Sequence, residues 1–144
     1  MPNAQSILDK KGTDVATVDR KATVLDAAKT MNQRRIGAVV VTDGDRVIGI
    51  FTERDILNRV VAAGKDPKIT PIGEVMTSPM ACCRRDTHLA ECKTVMSQKR
   101  IRHLPVVEDG KLYGMISAGD ILASEVSDQQ ATIEYLHEYL YGHR

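Results

Sequence analysis

Gly49-Ile-Phe-Thr52-Glu-Arg-Asp55-Ile-Leu57 returns 65 residues later as Gly114-Met-Ile-Ser117-Ala-Gly-Asp120-Ile-Leu122. The same offset holds upstream without a gap. Met31-Asn-Gln-Arg-Arg-Ile36 returns as Met96-Ser-Gln-Lys-Arg-Ile101. Across 31–57 against 96–122, nine of 27 positions are identical: Met31, Gln33, Arg35, Ile36, Val41, Gly49, Asp55, Ile56 and Leu57. A duplication in a short chain predicts two like units facing each other across a pseudo-twofold axis. A site at their junction then exists in two related copies, equal or unequal.

Each repeat reads as the same series of elements. A short helical turn (Ser6–Lys10, Ile72–Met76) precedes a strand (Val15–Val18, Met80–Cys83) and then a helix. Val24, Leu25, Ala28 and Met31 fall at helical spacing, as do Leu89, Cys92, Val95 and Met96. Thr23-Val-Leu-Asp26 has the spacing of a capping box. Two strands follow in each copy, Ala38–Thr42 with Val47–Phe51 and Leu104–Val107 with Leu112–Ile116, around Asp-Gly turns that signal hairpins. Gly49 and Gly114 sit in mid-strand, where glycine marks a bulge or a close backbone approach. A second helix starts after Thr52 or Ser117, and Gly64 suits the end of the first. The expected boundaries are units over 6–64 and 72–126, a connection over 65–71, and a closing helix over 127–142 carrying Ile133, Leu136 and Leu140.

Composition bounds the rest. The chain has 144 residues, 42% of them hydrophobic, enough for one ordinary core. Each repeat alone is near the lower size limit, so the two are expected to share a core. Twenty basic and 19 acidic residues give a net charge of +1, which argues against general nucleic-acid binding. Trp is absent and Phe occurs once, so an aromatic platform for single strands is not expected. No apolar run has the length of a membrane span, and the N-terminus does not read as a signal peptide. Three cysteines, all in the second repeat, fit a reducing cytoplasm and not a disulfide framework.

The doubled order strand–helix–strand–strand–helix, with G-h-h-[ST]-x-x-D-h-h (h, apolar) closing each copy, resembles the tandem CBS-domain pair, or Bateman module. Arg102-His103-Leu104-Pro105-Val106-Val107 is similar to that family's R-h-P-V-V strand. The likeness covers about residues 6–123. It implies an α/β (α+β) fold of two β-α-β-β-α units packed sheet to sheet, in a free-standing member. It also implies two clefts, each able to take an adenosine-containing ligand, and association of pairs into a homodimer. AMP is the first expectation for the ligand, with NAD, ATP and S-adenosylmethionine as alternatives.

Chemistry gives the motif residues roles. The carboxylates of Asp55 and Asp120 suit a ribose diol, and the hydroxyls of Thr52 and Ser117 can add a contact. The plainer reading stands beside it: Thr-x-x-Asp and Ser-x-x-Asp are also ordinary helix caps. Both roles are compatible, because a cap fixes where the Asp points. Phosphate needs cations; the candidates are Arg54, Arg102 and His103, and the plainer reading is a solvated face. Their counterparts Gly119, Gly37 and Ala38 carry no charge, so one good phosphate site and one poor one are expected. By family analogy an adenine slot draws on Thr17, Val18, Ile36, Gly37, Ala38, Cys82, Cys83, Leu104 and Pro105, though core packing explains Val18 or Ile36 as well.

Other chemistry has thin support. His88 and Cys92 lie four apart on a helix but lack a second ligand pair, so no metal is expected. Cys82-Cys83 precede Arg84-Arg85, a setting that can activate a thiol; small buried side chains are the plainer reading. No nucleophile–base signature or glycine-rich phosphate loop occurs, so the chain is not expected to be an enzyme. The expected function is a cytoplasmic adenine-nucleotide sensor acting on an effector protein, without nucleic acid, membrane or required cofactor. The alternative is a constitutive dimerisation or docking module with vestigial clefts.

Overall fold

The computed structural model describes residues 1–127 and 133. The expected helix over 127–142 falls almost wholly outside the described residues. The elements are α1 (Ala4–Lys11), β1 (Thr17–Asp19), α2 (Val24–Arg34), β2 (Ala38–Asp43), β3 (Arg46–Thr52), α3 (Glu53–Asp55, continuing through Ile56–Val61), α4 (Ile72–Val75), α5 (Leu89–Lys99), β4 (His103–Glu108) and β5 (Lys111–Ser117). A further helix, α6, runs from 118 up to 127, where the continuously described residues stop.

Half of the capping box expected at Thr23 forms: Thr23 accepts the Asp26 N–H at 3.2 Å and opens α2, without the reciprocal bond from the Asp26 side chain. Helices α2 and α5 end alike, at Arg35 and Arg100, both in the left-handed region with φ near 52° and 54°. The continuation of α3 is wound wide: the Ala62 N–H reaches back five residues to the Leu57 carbonyl.

The two sheets differ at one edge. In the first, β1 runs parallel to β2, which pairs antiparallel with β3. In the second, β4 and β5 pair antiparallel, and the expected strand Met80–Cys83 shrinks to one parallel bridge between Cys83 and Val106. The cause is Pro105. Its counterpart Val40 donates its N–H to the Ala16 carbonyl at 3.0 Å, and proline has no N–H to give. What remains is the Cys83 N–H on the Pro105 carbonyl and the Val107 N–H on the Cys83 carbonyl, each 2.9 Å.

The hydrophobic cores do not follow the halves of the sequence. Ala4, Ile7 and Leu8 of α1 pack into the second core, with Leu89, Cys92, Met96, Leu104 and Ile116. Ile72 and Val75 of α4 pack into the first, with Val24, Met31, Val39, Val41 and Phe51. Each repeat therefore lends its leading helix to the other, and neither core is complete from its own half. Backbone bonds fasten the exchange: Ala4 N–H to Thr87 O, Leu89 N–H to Pro2 O, and Ile72 N–H to Ala22 O.

The mid-strand glycines sit beneath the crossing segments. A Cβ on Gly49 would lie 2.7 Å from the Thr77 carbonyl and 2.8 Å from Met76 Sδ. A Cβ on Gly114 would lie 2.5 Å from Leu8 Cδ2. The hairpin register slips beside both, at Val41/Thr42 and Val106/Val107.

Candidate functional site: a basic cleft between the repeats

A cavity of about 560 Å³ opens between the repeats. The first repeat contributes Gly37, Ile50 and the turn Thr52–Asp55, and the second contributes Thr77, Pro79, Ala81 and Lys99–His103. Thr52, Arg54, Asp55, Arg102 and His103, which the sequence scatters over both copies, thus share one space. Lys99 and Arg100 add two cations at its rim.

Asp55 is the buried anion of the cleft, 6% exposed. It sits in the first turn of α3 and both capping bonds form there. Its Oδ2 accepts from the Thr52 N–H at 3.0 Å, and the Thr52 hydroxyl accepts the Asp55 N–H at 3.4 Å. Its Oδ1 accepts from the Thr77 hydroxyl at 3.0 Å and faces Arg59 Nε at 3.5 Å. The capping bond from Thr52 N–H therefore uses Oδ2, and the contacts to Thr77 and Arg59 use Oδ1.

Arg54 reaches across the cleft and donates to the carbonyl of Arg100, tying the first motif to the turn that ends α5. His103 opens β4 opposite Ser117. Gly37 makes room for it: a Cβ there would stand 3.2 Å from His103 Cε1 and 3.3 Å from Glu53 Oε1. Burial pushes the His103 imidazole below its ordinary value, Glu53 pulls it back, and Arg102 and Lys11 push it further down. His103 is thus a neutral side chain among cations at pH 7.

The second motif is built alike but closed differently. Asp120 Oδ2 accepts from the Ser117 N–H at 2.8 Å, and the Ser117 hydroxyl accepts the Asp120 N–H at 3.1 Å. Lys11, from the end of α1, then donates to Asp120 Oδ2 at 2.7 Å and to the Met115 carbonyl at 3.0 Å. Partial burial alone would raise the Asp120 carboxyl; the Lys11 ammonium and the Ser117 bonds outweigh it and hold it below the usual range. Ser117 and Asp120 do not line the 560 Å³ cavity.

Of the residues considered for an adenine slot, Gly37 alone lines this cavity. Ala38, Cys83 and Leu104 are core residues, and Pro105 is buried in β4. Val18 and Ile36 pack on the first core, and Thr17 is exposed on β1. Ile50, Pro79, Ala81 and Ile101 provide the apolar lining instead. Two of these lie in the stretch 77–81, where the sequence offers only the start of a short strand, Met80–Cys83. Lys99 and Arg100 were visible inside the repeated Gln-Lys-Arg-Ile framework, but framework residues carry no mark of facing a cleft.

Cys82, Cys83 and Cys92 line a separate cavity of about 250 Å³. A hydrogen bond to the Cys92 sulfur, together with burial, pushes the Cys83 thiol well above the ordinary range. The neighbouring arginines are engaged elsewhere: Arg85 pairs with Glu108 and lies 4.0 Å over the Tyr113 ring, and Arg84 Nη2 is 3.6 Å from Glu108. His88 is exposed at the start of α5 while Cys92 is buried. Among the described residues, no group of three or more His, Cys, Asp or Glu is placed to hold a metal ion. Among them, too, no helix is long and apolar enough to cross a membrane.

The model of the CBS domain matches this chain twice, over residues 9–62 and 72–127. The CBS domain-containing protein YhcV of Bacillus subtilis is 34% identical over 126 residues, spanning 88% of this chain and 89% of its own. The mitochondrial CBS domain-containing protein CBSX3 of Arabidopsis thaliana is 35% identical over 125 residues; the match takes in 83% of this chain and 61% of that protein. The crystal structure of a CBS-domain containing protein from Agrobacterium tumefaciens superposes with a TM-score of 0.81 at 37% identity, covering 86% of this chain and 99% of that one. Tandem CBS domains are in general regulatory ligand-binding modules. On its doubled motif, its paired sheets and these matches, the chain belongs to the CBS-domain family as a tandem pair.

Proposed function

We propose that this chain is a non-enzymatic regulatory module that binds an adenine nucleotide in the Asp55 cleft. One observation carries the reading. A single 560 Å³ cavity sets the buried Asp55 and the Thr52 and Thr77 hydroxyls against Arg54, Lys99, Arg100, Arg102 and His103. A ribose diol suits the carboxylate end, a phosphate suits the cationic end, and Ile50, Pro79, Ala81 and Ile101 give a base an apolar wall. The volume lies within the range of small-molecule sites. AMP is the first choice of ligand, with ATP, NAD and S-adenosylmethionine as the alternatives to test. Because the walls come from both repeats, a ligand that prefers one packing of the repeats shifts the population towards it. An effector protein in the cytoplasm would read that shift.

The expected homodimer has a surface to use. Leu57 and Val61 are 61% and 66% exposed on the helix after the first motif, and their repeat counterparts Leu122 and Val126 are 61% and 54% exposed on α6. Two matched apolar i, i+4 pairs favour a symmetric partner, a second copy of this chain.

The second reading, a docking module with unused clefts, draws on the partners that Asp55 already has in Thr52, Thr77 and Arg59. Thermal shifts separate the two. A ligand at 100 times its dissociation constant stabilises by roughly 2.7 kcal/mol. The reading expects a shift with at least one of the four ligands, lost in Asp55→Ala; no shift with any of them sinks it.

A further inference from the structure

The two capping motifs share a plan, and the group that reaches the carboxylate from the crossing segment differs between them. In the first, Thr77 serves two acceptors: its N–H donates to the Ile50 carbonyl at 2.8 Å and its hydroxyl to Asp55 at 3.0 Å. The repeat counterparts of those acceptors are Met115 and Asp120. The counterpart of Thr77 is Gly12, which has no side chain and sits at φ 91°. Lys11 fills the gap, and its one ammonium donates to both acceptors, the Met115 carbonyl and Asp120.

The replacement preserves the tie between the crossing segment and the sheet, yet it changes the chemistry. A hydroxyl is neutral and rotates, so Thr77 can yield its place on Asp55 to a sugar hydroxyl and still bond to it. An ammonium neutralises the carboxylate, donates only, and is pinned between two oxygens. At the first motif the position matching Lys11 is Met76. The cation that Asp55 does have, Arg59, stands off at 3.5 Å, against 2.7 Å for Lys11 on Asp120, so the close ammonium is a property of one copy alone.

We propose that Lys11 makes this chain a one-site module, occupying the Asp120 cleft as an internal cation so that a single nucleotide binds, at Asp55. The inference rests on the nucleotide reading of the Asp55 cleft. Lys11 is then the residue that decides stoichiometry, and the second cleft is latent. The Lys11–Asp120 pair is partly exposed, with side chains 37% and 24% accessible, so the block is of modest strength. It amounts to at most about fivefold in the affinity of the second site.

Calorimetric titration of AMP and of ATP tests this on the full chain. Lys11→Met copies the residue found at the first motif, Met76, and Lys11→Gln removes the charge while keeping a donor; melting curves establish that each is folded. The wild type is expected to bind one ligand per chain. Both variants are expected to gain a second site, about fivefold tighter than any second event in the wild type. The double variant Lys11→Met/Asp120→Asn is expected to return to one. A wild type with one site whose Lys11 variants also stay at one overturns the role of Lys11 alone. A wild type that fills two equal sites overturns it as well. No binding by the wild type overturns this inference together with the nucleotide reading.

Discussion

Lys11 does for the second repeat what Thr77 does for the first: each joins a crossing segment to a mid-sheet carbonyl and to the carboxylate that caps the following helix. The two residues differ in charge and in sequence position, and they meet the same pair of acceptors. Their bonds hold the exchanged helices over the opposite sheets. Thr77→Val removes the hydroxyl on a buried carboxylate and leaves the backbone bond. The expected loss is about 1.5–3 kcal/mol, the range for hydrogen bonds to a charged group. Lys11→Met breaks a partly exposed pair and is expected to lose no more than about 1 kcal/mol. Urea denaturation of both variants, compared at equal m-value, checks the ranking.

The glycines under the crossing segments give a second contrast. A methyl on Gly49 meets the Thr77 carbonyl at 2.7 Å, a backbone atom held by the pairing with Ile50. A methyl on Gly114 meets the far end of the Leu8 side chain, which has other rotamers. Overpacking costs typically about 1–3 kcal/mol. Gly49→Ala is expected near the top of that range and Gly114→Ala near the bottom. Thermal denaturation of the two variants in parallel decides it; equal losses would refute the assignment of the clash to backbone in one case and side chain in the other.

Much of this was legible in the sequence, because a repeat carries its own control. Gly49 and Gly114 marked close approaches, and Thr23, Thr52 and Ser117 marked helix starts, since caps and glycines act locally. The exchange of α1 and α4 was not legible: Ile7, Leu8, Ile72 and Val75 are apolar in either arrangement, and periodicity does not say which sheet a short helix covers. The cleft was half legible. Asp55 and Arg102 announce themselves by chemistry and by family pattern. Thr77 and Lys11 act only through tertiary contacts, and the repeat offset itself pairs Thr77 with Gly12 instead of Lys11.

The cysteines predict a graded reactivity. Cys82 is exposed, whereas Cys83 and Cys92 are buried against each other in the second core. Iodoacetamide on the native chain is expected to modify one thiol per chain, at Cys82, and all three once the chain is unfolded. Raising the pH to 9 is expected to leave Cys83 unmodified, because its thiol is held well above the usual range by the Cys92 sulfur and by burial. Peptide mass mapping after timed labelling identifies the sites; early modification of Cys83 would contradict the packing described.

His103 carries the pH dependence. Its pKa lies below the ordinary 6.5 in the folded chain, chiefly through burial. As pH falls from 6.5, the unfolded chain takes up a proton before the folded one does. The contribution of His103 to stability is therefore intact above 6.5 and is lost as pH falls through the folded value. Asp120, held below 3.8, acts in a separate and more acidic window, so the two are resolvable. His103→Gln is expected to flatten the decline that starts near pH 6.5 and to leave the acidic limb in place. A phosphate in the cleft reverses the sign for binding. An anion beside the imidazole raises its pKa, so a proton enters with the ligand, and affinity for AMP rises as pH falls from 7.5 to 6, by at most about tenfold per unit for one proton. Titrations in two buffers of different ionisation heat measure the proton taken up near pH 6. An uptake that vanishes in His103→Gln assigns it to this residue, and an uptake unchanged in that variant refutes the placement of the phosphate beside His103.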